Sequence, residues 1–137
     1  MKRTFFLFGI GLVLLAAFIV AAQEADEITV DRIAICTAVV DREPQGEGTE
    51  FDSTVERLYC FTTLNGATGQ VVHAWYQGDS LRAKVTLNKG KAGRWRTHSN
   101  KKMAPEWQGK WRVDVLDEND NVLKSTEFTY GKAEGQE

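Results

Sequence analysis

The chain has 137 residues, with 17 basic and 19 acidic side chains and a formal net charge of −2 at pH 7. That length suits one ordinary domain with a modest core, and that balance excludes a globally nucleic-acid-binding composition. With 2 histidines, 2 cysteines and no zinc-type spacing, no metal is expected; with no Rossmann or P-loop glycine pattern, no cofactor is either.

The chain opens Met1-Lys-Arg3, runs apolar from Phe5 to Val20, and reaches a polar break after Ala21-Ala22. A positive start, an apolar stretch and small residues before a polar break predict a secretory signal peptide over residues 1–22, cleaved after Ala22. The alternative is an uncleaved anchor, since the apolar run is just long enough to span a bilayer. Export to the periplasm or beyond is the expectation, with membrane contact only through such an anchor. Residues 23–32 form an acidic segment, residues 33–130 the domain, and residues 131–137 a polar tail.

Cys36 and Cys60 lie in the part expected to be exported. An even count in an oxidising compartment predicts one disulfide, closing a loop of about 25 residues and contributing roughly 3–3.5 kcal/mol in the chain-entropy picture. The spacing is far from Cys-x-x-Cys, which argues against a redox pair.

Residues 33–40 are β-branched and predict a first strand. Residues 41–52, with Pro44, Gly46 and Gly48, predict a loop. Residues 55–64 are the second strand, with Leu58, Cys60 and Leu64 on one face and Tyr59 and Phe61 on the other. Asn65-Gly66 marks a turn. The third strand, residues 70–76, puts Val71, His73 and Trp75 on one side. In residues 80–87, Leu81, Ala83, Val85 and Leu87 alternate with polar residues, the period-2 pattern of a half-buried strand. Trp95, Thr97 and Ser99 alternate with Arg94, Arg96 and His98 in the fifth strand. The sixth, residues 110–116, turns Trp111, Val113 and Val115 inward, and residues 122–130 close the set. About seven short strands with no helical periodicity between them predict an all-β fold, an antiparallel, immunoglobulin-like β-sandwich.

The small net charge hides a segregated one. Residues 82–112 carry ten basic side chains and one acid, while the flanking segments are acidic. If Arg82, Lys84, Arg94, Arg96 and Arg112 share one solvent face, that face attracts an anionic partner. The alternative is strands alternating in sign, with cross-strand pairs neutralising the patch. Trp75, Trp95 and Trp111 fit a sandwich core, whereas Trp107, in a connection containing Pro105, is the tryptophan expected to be most exposed. The ligand-binding candidates are Arg94, Arg96, His98, Arg112, Trp107 and the His73 end of the third strand. No catalytic group is assigned. A hydrolase would need His73 or His98 beside a hydroxyl and an orienting group, and His98 and Ser99 point to opposite faces of their strand.

These residues also carry a resemblance. Cys36 with the Val39–Pro44 stretch, Arg57-Leu-Tyr-Cys-Phe-Thr62, His73-Ala-Trp-Tyr76, Arg94-Trp-Arg-Thr97 with Ser99 and Lys101, Gly109-Lys-Trp-Arg-Val113 and Phe128 stand in one order along the domain. In that order the chain resembles the bacterial family Domain of Unknown Function 2914. His98 departs from its pattern, which is associated with an aromatic there. The resemblance implies an exported or membrane-associated bacterial domain of β-sandwich type with no assigned activity. It also implies that His73, Trp75, Arg96 and Trp111 form one constellation, either a core signature or a binding site.

The expected function is that of a non-catalytic exported binding module for an anionic or glycan ligand of the cell envelope, or for an acidic protein partner. The alternatives are a structural envelope protein without a small-molecule site and, third, a hydrolase with a histidine base.

Overall fold

A computed structural model of the chain describes residues 27–132. The expected signal or anchor segment, residues 1–22, lies outside them. No helix among the described residues is long and apolar enough to cross a membrane.

The strands are β1 (Thr29–Cys36), β2 (Ala38–Val40), β3 (Glu43–Gln45), β4 (Glu50–Phe51), β5 (Arg57–Asn65), β6 (Gly69–Gln77), β7 (Ser80–Lys89), β8 (Trp95–Lys102), β9 (Gly109–Leu116) and β10 (Val122–Tyr130). A 3-10 turn at Pro105–Trp107 joins β8 to β9. A three-stranded sheet in the order β1-β5-β8 packs on a five-stranded sheet in the order β4-β10-β9-β6-β7. Pairing is antiparallel except for the two-residue contact of β4 with β10. The all-β sandwich expected from the alternation is therefore the fold.

The seven long strands are those the sequence predicts, and three short ones come from residues 38–51. There the expectation needs correction. The first strand starts earlier, at Thr29, and breaks after Cys36. Asp41 and Arg42 both take positive φ, 52° and 61°, which closes β2 and β3 into a two-residue hairpin. Such a turn needs two left-handed residues, and Asn-Gly is its favoured pair, so Arg42 holds a conformation that glycine takes more cheaply. The hairpin lies across the outer face of the three-stranded sheet. Glu43 holds it down through Arg96 of β8 and, at 3.9 Å, Arg32 of β1, and Glu47 meets Arg32 at 2.7 Å.

A second correction concerns β7. A bulge sets Trp75 opposite Ala83 but Tyr76 opposite Leu81, so Arg82 is the extra residue. Leu81 thereby leaves the inward row and stands 48% exposed.

The core lies between the sheets. Ile35, Leu58 and Cys60 meet Trp75, Trp111, Val113, Phe128 and Tyr130, and a smaller cluster gathers Leu64, Val71 and Val115. Phe128 stacks on Trp111 and meets Trp75 and Phe51 edge to face, with centroids 6.0–6.2 Å apart. Each such pair adds about 0.5–1.5 kcal/mol beyond the area it buries.

The expected disulfide is absent: Cys36 and Cys60 are both free and buried. The register gives the reason. Cys36 pairs with Tyr59 and Cys60 with Ile35, an offset of one residue. Side chains alternate along a strand, so the two thiols leave on opposite faces of the same sheet. Cys60 points into the core, and Cys36 lies under the β2–β3 hairpin with Sγ 3.8 Å from the Tyr59 carbonyl. Burial pushes both thiols up, away from the reactive thiolate.

Candidate functional site

The outward row of β8 is Arg96, His98, Asn100 and Lys102, because Thr97 and Ser99 turn inward. Against the start of this row, the hairpin tip and the loop before β8 enclose a hollow of about 530 Å³ lined by Arg42, Lys91, Arg94, Trp95 and Arg96. A second hollow of about 310 Å³ adjoins it through Arg42 and Arg96 and continues over Val39, Phe61, Thr97 and His98. Together they make a groove between the hairpin and β8. Its head holds four cations and no lining carboxylate.

Of those cations, Arg96 is neutralised by Glu43. Arg42, Lys91 and Arg94 are exposed, and none makes an ion pair within 4.0 Å among the described residues. The hairpin carries Arg42 to the groove in its costly left-handed conformation. The loop bearing Lys91 is fixed by Lys89, whose side chain is only 1% exposed. Lys89 Nζ donates to the Gly66 carbonyl at 2.9 Å and to the Lys91 carbonyl, and Gly93 N–H also donates to Gly66 at 2.9 Å. Burial lowers the Lys89 pKa. Trp95 is half-buried against the smaller cluster and closes one end of the groove.

The predicted site residues divide among four places. Arg94, Arg96 and His98 share this groove. Arg112 lies on the outer face of the other sheet, so of the two readings the one that puts Arg94, Arg96 and Arg112 on a single basic face does not hold. Its guanidinium meets Asp114 at 2.9 Å and lies 4.5 Å from the Tyr76 ring, and Asp114 also accepts the Ser125 hydroxyl at 2.6 Å. The hollow beside Arg112, about 380 Å³, mixes Lys110 with Glu50, Asp79 and Glu127, and so has no anion bias. Trp107 is half-buried rather than exposed, with Lys101 Nζ at 4.5 Å and Arg82 at 5.8 Å from its ring. Burial, and then Arg82, lowers the Lys101 pKa.

His73 is in the interior, fully buried. Its Nδ1 lies 2.7 Å from Ser99 Oγ and its Nε2 3.2 Å from Thr62 Oγ1. Trp75 Nε1–H donates to Ser99 at 3.1 Å, and Thr62 Oγ1 donates to the Thr97 carbonyl at 3.3 Å. These donors and acceptors fit one ordering, in which Ser99 donates to Nδ1 and the imidazole is neutral with its proton on Nε2. Burial pushes the His73 pKa down to about 4, with His98 adding to the shift. No buried polar side-chain atom among the described residues lacks a partner.

The constellation implied by the resemblance therefore resolves in two. His73, Trp75 and Trp111 are interior, while Arg96 is a clasp for the hairpin. His98 is exposed, with its ring tilted at 57° and 5.9 Å from the Tyr59 ring. The sequence reading missed Arg42 and Lys91. Lys91 stands in the basic Lys89–Gly93 turn, whereas Arg42 falls in residues 41–52, where the sequence predicts only a loop. Among the described residues no group of three histidine, cysteine or carboxylate side chains could hold a metal ion.

No curated protein matches the chain. Among solved structures, it is similar to a domain-sized part of a beta-glucosidase from Listeria innocua in complex with glucose. That likeness has 13% identity and a TM-score of 0.43, and covers 78% of this chain and 16% of that one. A GH3 beta-glucosidase from Bifidobacterium adolescentis gives 12% identity, a TM-score of 0.44, and coverage of 81% and 18%. The chain thus spans under a fifth of either enzyme. The family match begins just before β6, so β1 and β5, which carried the first two pieces of the resemblance, lie outside it. Residues 68–130 match the family described as Protein of unknown function (DUF2914), which supports the resemblance read from the sequence.

Proposed function

We propose that the protein is a non-catalytic exported binding module that holds an anionic envelope ligand in the groove between the β2–β3 hairpin and β8. The observation that carries this reading is the set of three exposed cations, Arg42, Lys91 and Arg94, converging on one hollow with no carboxylate lining it. Structure spends stability there, since Arg42 is held at positive φ. Residues kept in costly conformations gather at binding sites. A hollow with a cationic rim is suited to a sugar bearing acidic groups.

The histidines support a binding role over catalysis. The one histidine within hydrogen-bond reach of serine is sealed in the interior, and the four groups bonded around it contain no carboxylate. The structural alternative draws on Arg96 and Arg112, both of which are paired internally. It leaves Arg42, Lys91 and Arg94 without a role.

The test is a binding screen of acidic and neutral glycans and envelope polymers at low salt, comparing the wild type with Arg94→Ala. Retention on acidic ligands only, weakened by the substitution and by added salt, is the expected result. Failure to bind any acidic ligand would overturn the reading.

A further inference from the structure

The groove does not end at His98. Along the outward row of β8 the chain continues through Asn100 to Lys102, and Arg57 of β5 stands directly opposite Lys102 in the register. Both are exposed, and neither has an acid within 4.0 Å among the described residues. Arg57 is instead bonded to Asn100 Oδ1, a neutral acceptor. Two like charges directly opposed on neighbouring strands destabilise a sheet, and a carboxylate at either position would relieve them. The fold does not explain this pair. Glu56 and Glu106 line the hollow beside Lys102, outside ion-pair distance.

Lys102 lies six positions along the strand from Arg96, about 20 Å in an extended conformation. The face therefore carries two cationic stations: Arg42, Lys91 and Arg94 at one end, and Arg57 and Lys102 at the other. Between them stand the tilted, flat rings of Tyr59 and His98. We infer that the ligand is a linear acidic polysaccharide lying along β8, with carboxylates on separate sugars meeting the two stations and a sugar ring resting on Tyr59 and His98. This rests on the groove reading above and names its ligand class. A small anion would occupy the head station alone. The aromatic middle favours a sugar backbone over a chain of phosphates, which has no flat apolar face.

The experiment uses oligogalacturonates of two, four and eight units, with inorganic polyphosphate of matched length as a second arm. Affinity is measured at low salt on the described domain within the full chain. The octamer is expected to bind at least about tenfold more tightly than the dimer, because a tethered second contact acts at high effective concentration. Arg57→Ala combined with Lys102→Ala should weaken the octamer about five- to tenfold and leave the dimer unchanged. Arg94→Ala should weaken both, and Lys84→Ala, on the other sheet, neither. Equal affinity for dimer and octamer, or indifference of the octamer to the double substitution, overturns the two-station track while leaving the groove standing. Preference for polyphosphate overturns the saccharide. No binding by any oligomer defeats the groove reading itself.

Discussion

Ser99 Oγ stands 2.7 Å from His73 Nδ1 in the closed interior between the two sheets. The contact joins β8 of one sheet to β6 of the other, with the neutral imidazole accepting the serine proton. Protonating Nδ1 would make Ser99 accept from both His73 and Trp75, leave the serine proton unpaired, and bury a charge with no carboxylate beside it. The folded-state pKa, about 4, lies below the ordinary value of 6.5. The unfolded chain therefore binds the extra proton first as pH falls. His73 contributes its full stability above about pH 6.5, and roughly 3 kcal/mol is lost between there and pH 4. Asp52 and Asp117, both held below the usual carboxylate range by hydrogen bonds from Thr54 and Asn121, lose their contributions at lower pH still. Denaturant unfolding at pH 7.5, 5.5 and 4.5 should show the decline, and a His73→Gln variant should flatten it. A wild-type midpoint constant over that range would refute the neutral, buried histidine.

Arg42 links stability to binding in opposite directions. Arg42→Gly removes a left-handed conformation that costs a side-chain-bearing residue about 1 kcal/mol, partly offset by the greater freedom of glycine in the unfolded chain. The variant should be about 0.5 kcal/mol more stable by chemical denaturation, yet bind acidic ligands several-fold more weakly. If the variant bound as well as the wild type, the hairpin tip would have no part in the site.

Lys89 should matter for the opposite reason, as a positioning residue that touches no ligand. Lys89→Met keeps the buried methylene stem but leaves the Lys91 carbonyl without its donor. A hydrogen bond from a charged group is worth about 1.5–3 kcal/mol, so a loss near 2 kcal/mol is expected. Ligand affinity should fall too, because the Lys91 loop is no longer tied to the turn at Gly66. Unfolding curves read the first effect and titration with an acidic oligosaccharide the second; unchanged affinity would show that the loop holds its place without the lysine.

The thiols offer a direct check on the sheet register. With Cys36 and Cys60 on opposite faces of one sheet, protein purified from an oxidising compartment should release two thiols on denaturation. Its unfolding midpoint should not respond to reductant. A reductant-sensitive midpoint, or fewer than two titratable thiols, would contradict the pairing of Cys36 with Tyr59.

Local alternation carried most of the fold. Period-2 patterning located all seven long strands, grouped Leu58, Cys60 and Leu64 on one face and Val71, His73 and Trp75 on another, and turned Trp111, Val113 and Val115 inward; which face of the second and third strands is buried came only with the structure. A half-buried strand must present its apolar residues to one side, so those rows follow from the sequence alone. The basic centre of the chain was also legible, including Arg94, Arg96 and His98 on one face of their strand.

What only the tertiary structure decided is which rows meet. Two consecutive basic strands can land on the same surface or on opposite surfaces of a sandwich, and spacing along the chain does not say which. Here Arg112 went to one sheet and Arg96 to the other. A one-residue offset between β1 and β5 turned an expected disulfide into two separated thiols. A bulge of one residue moved Leu81 out of the core row and brought Arg82 over Trp107. The turn at Asp41 and Arg42 carried none of the usual glycine or asparagine signals, yet it folds the hairpin that builds one wall of the groove. Registers, bulges and sheet partners are settled by packing between distant segments, and that is where the site was made.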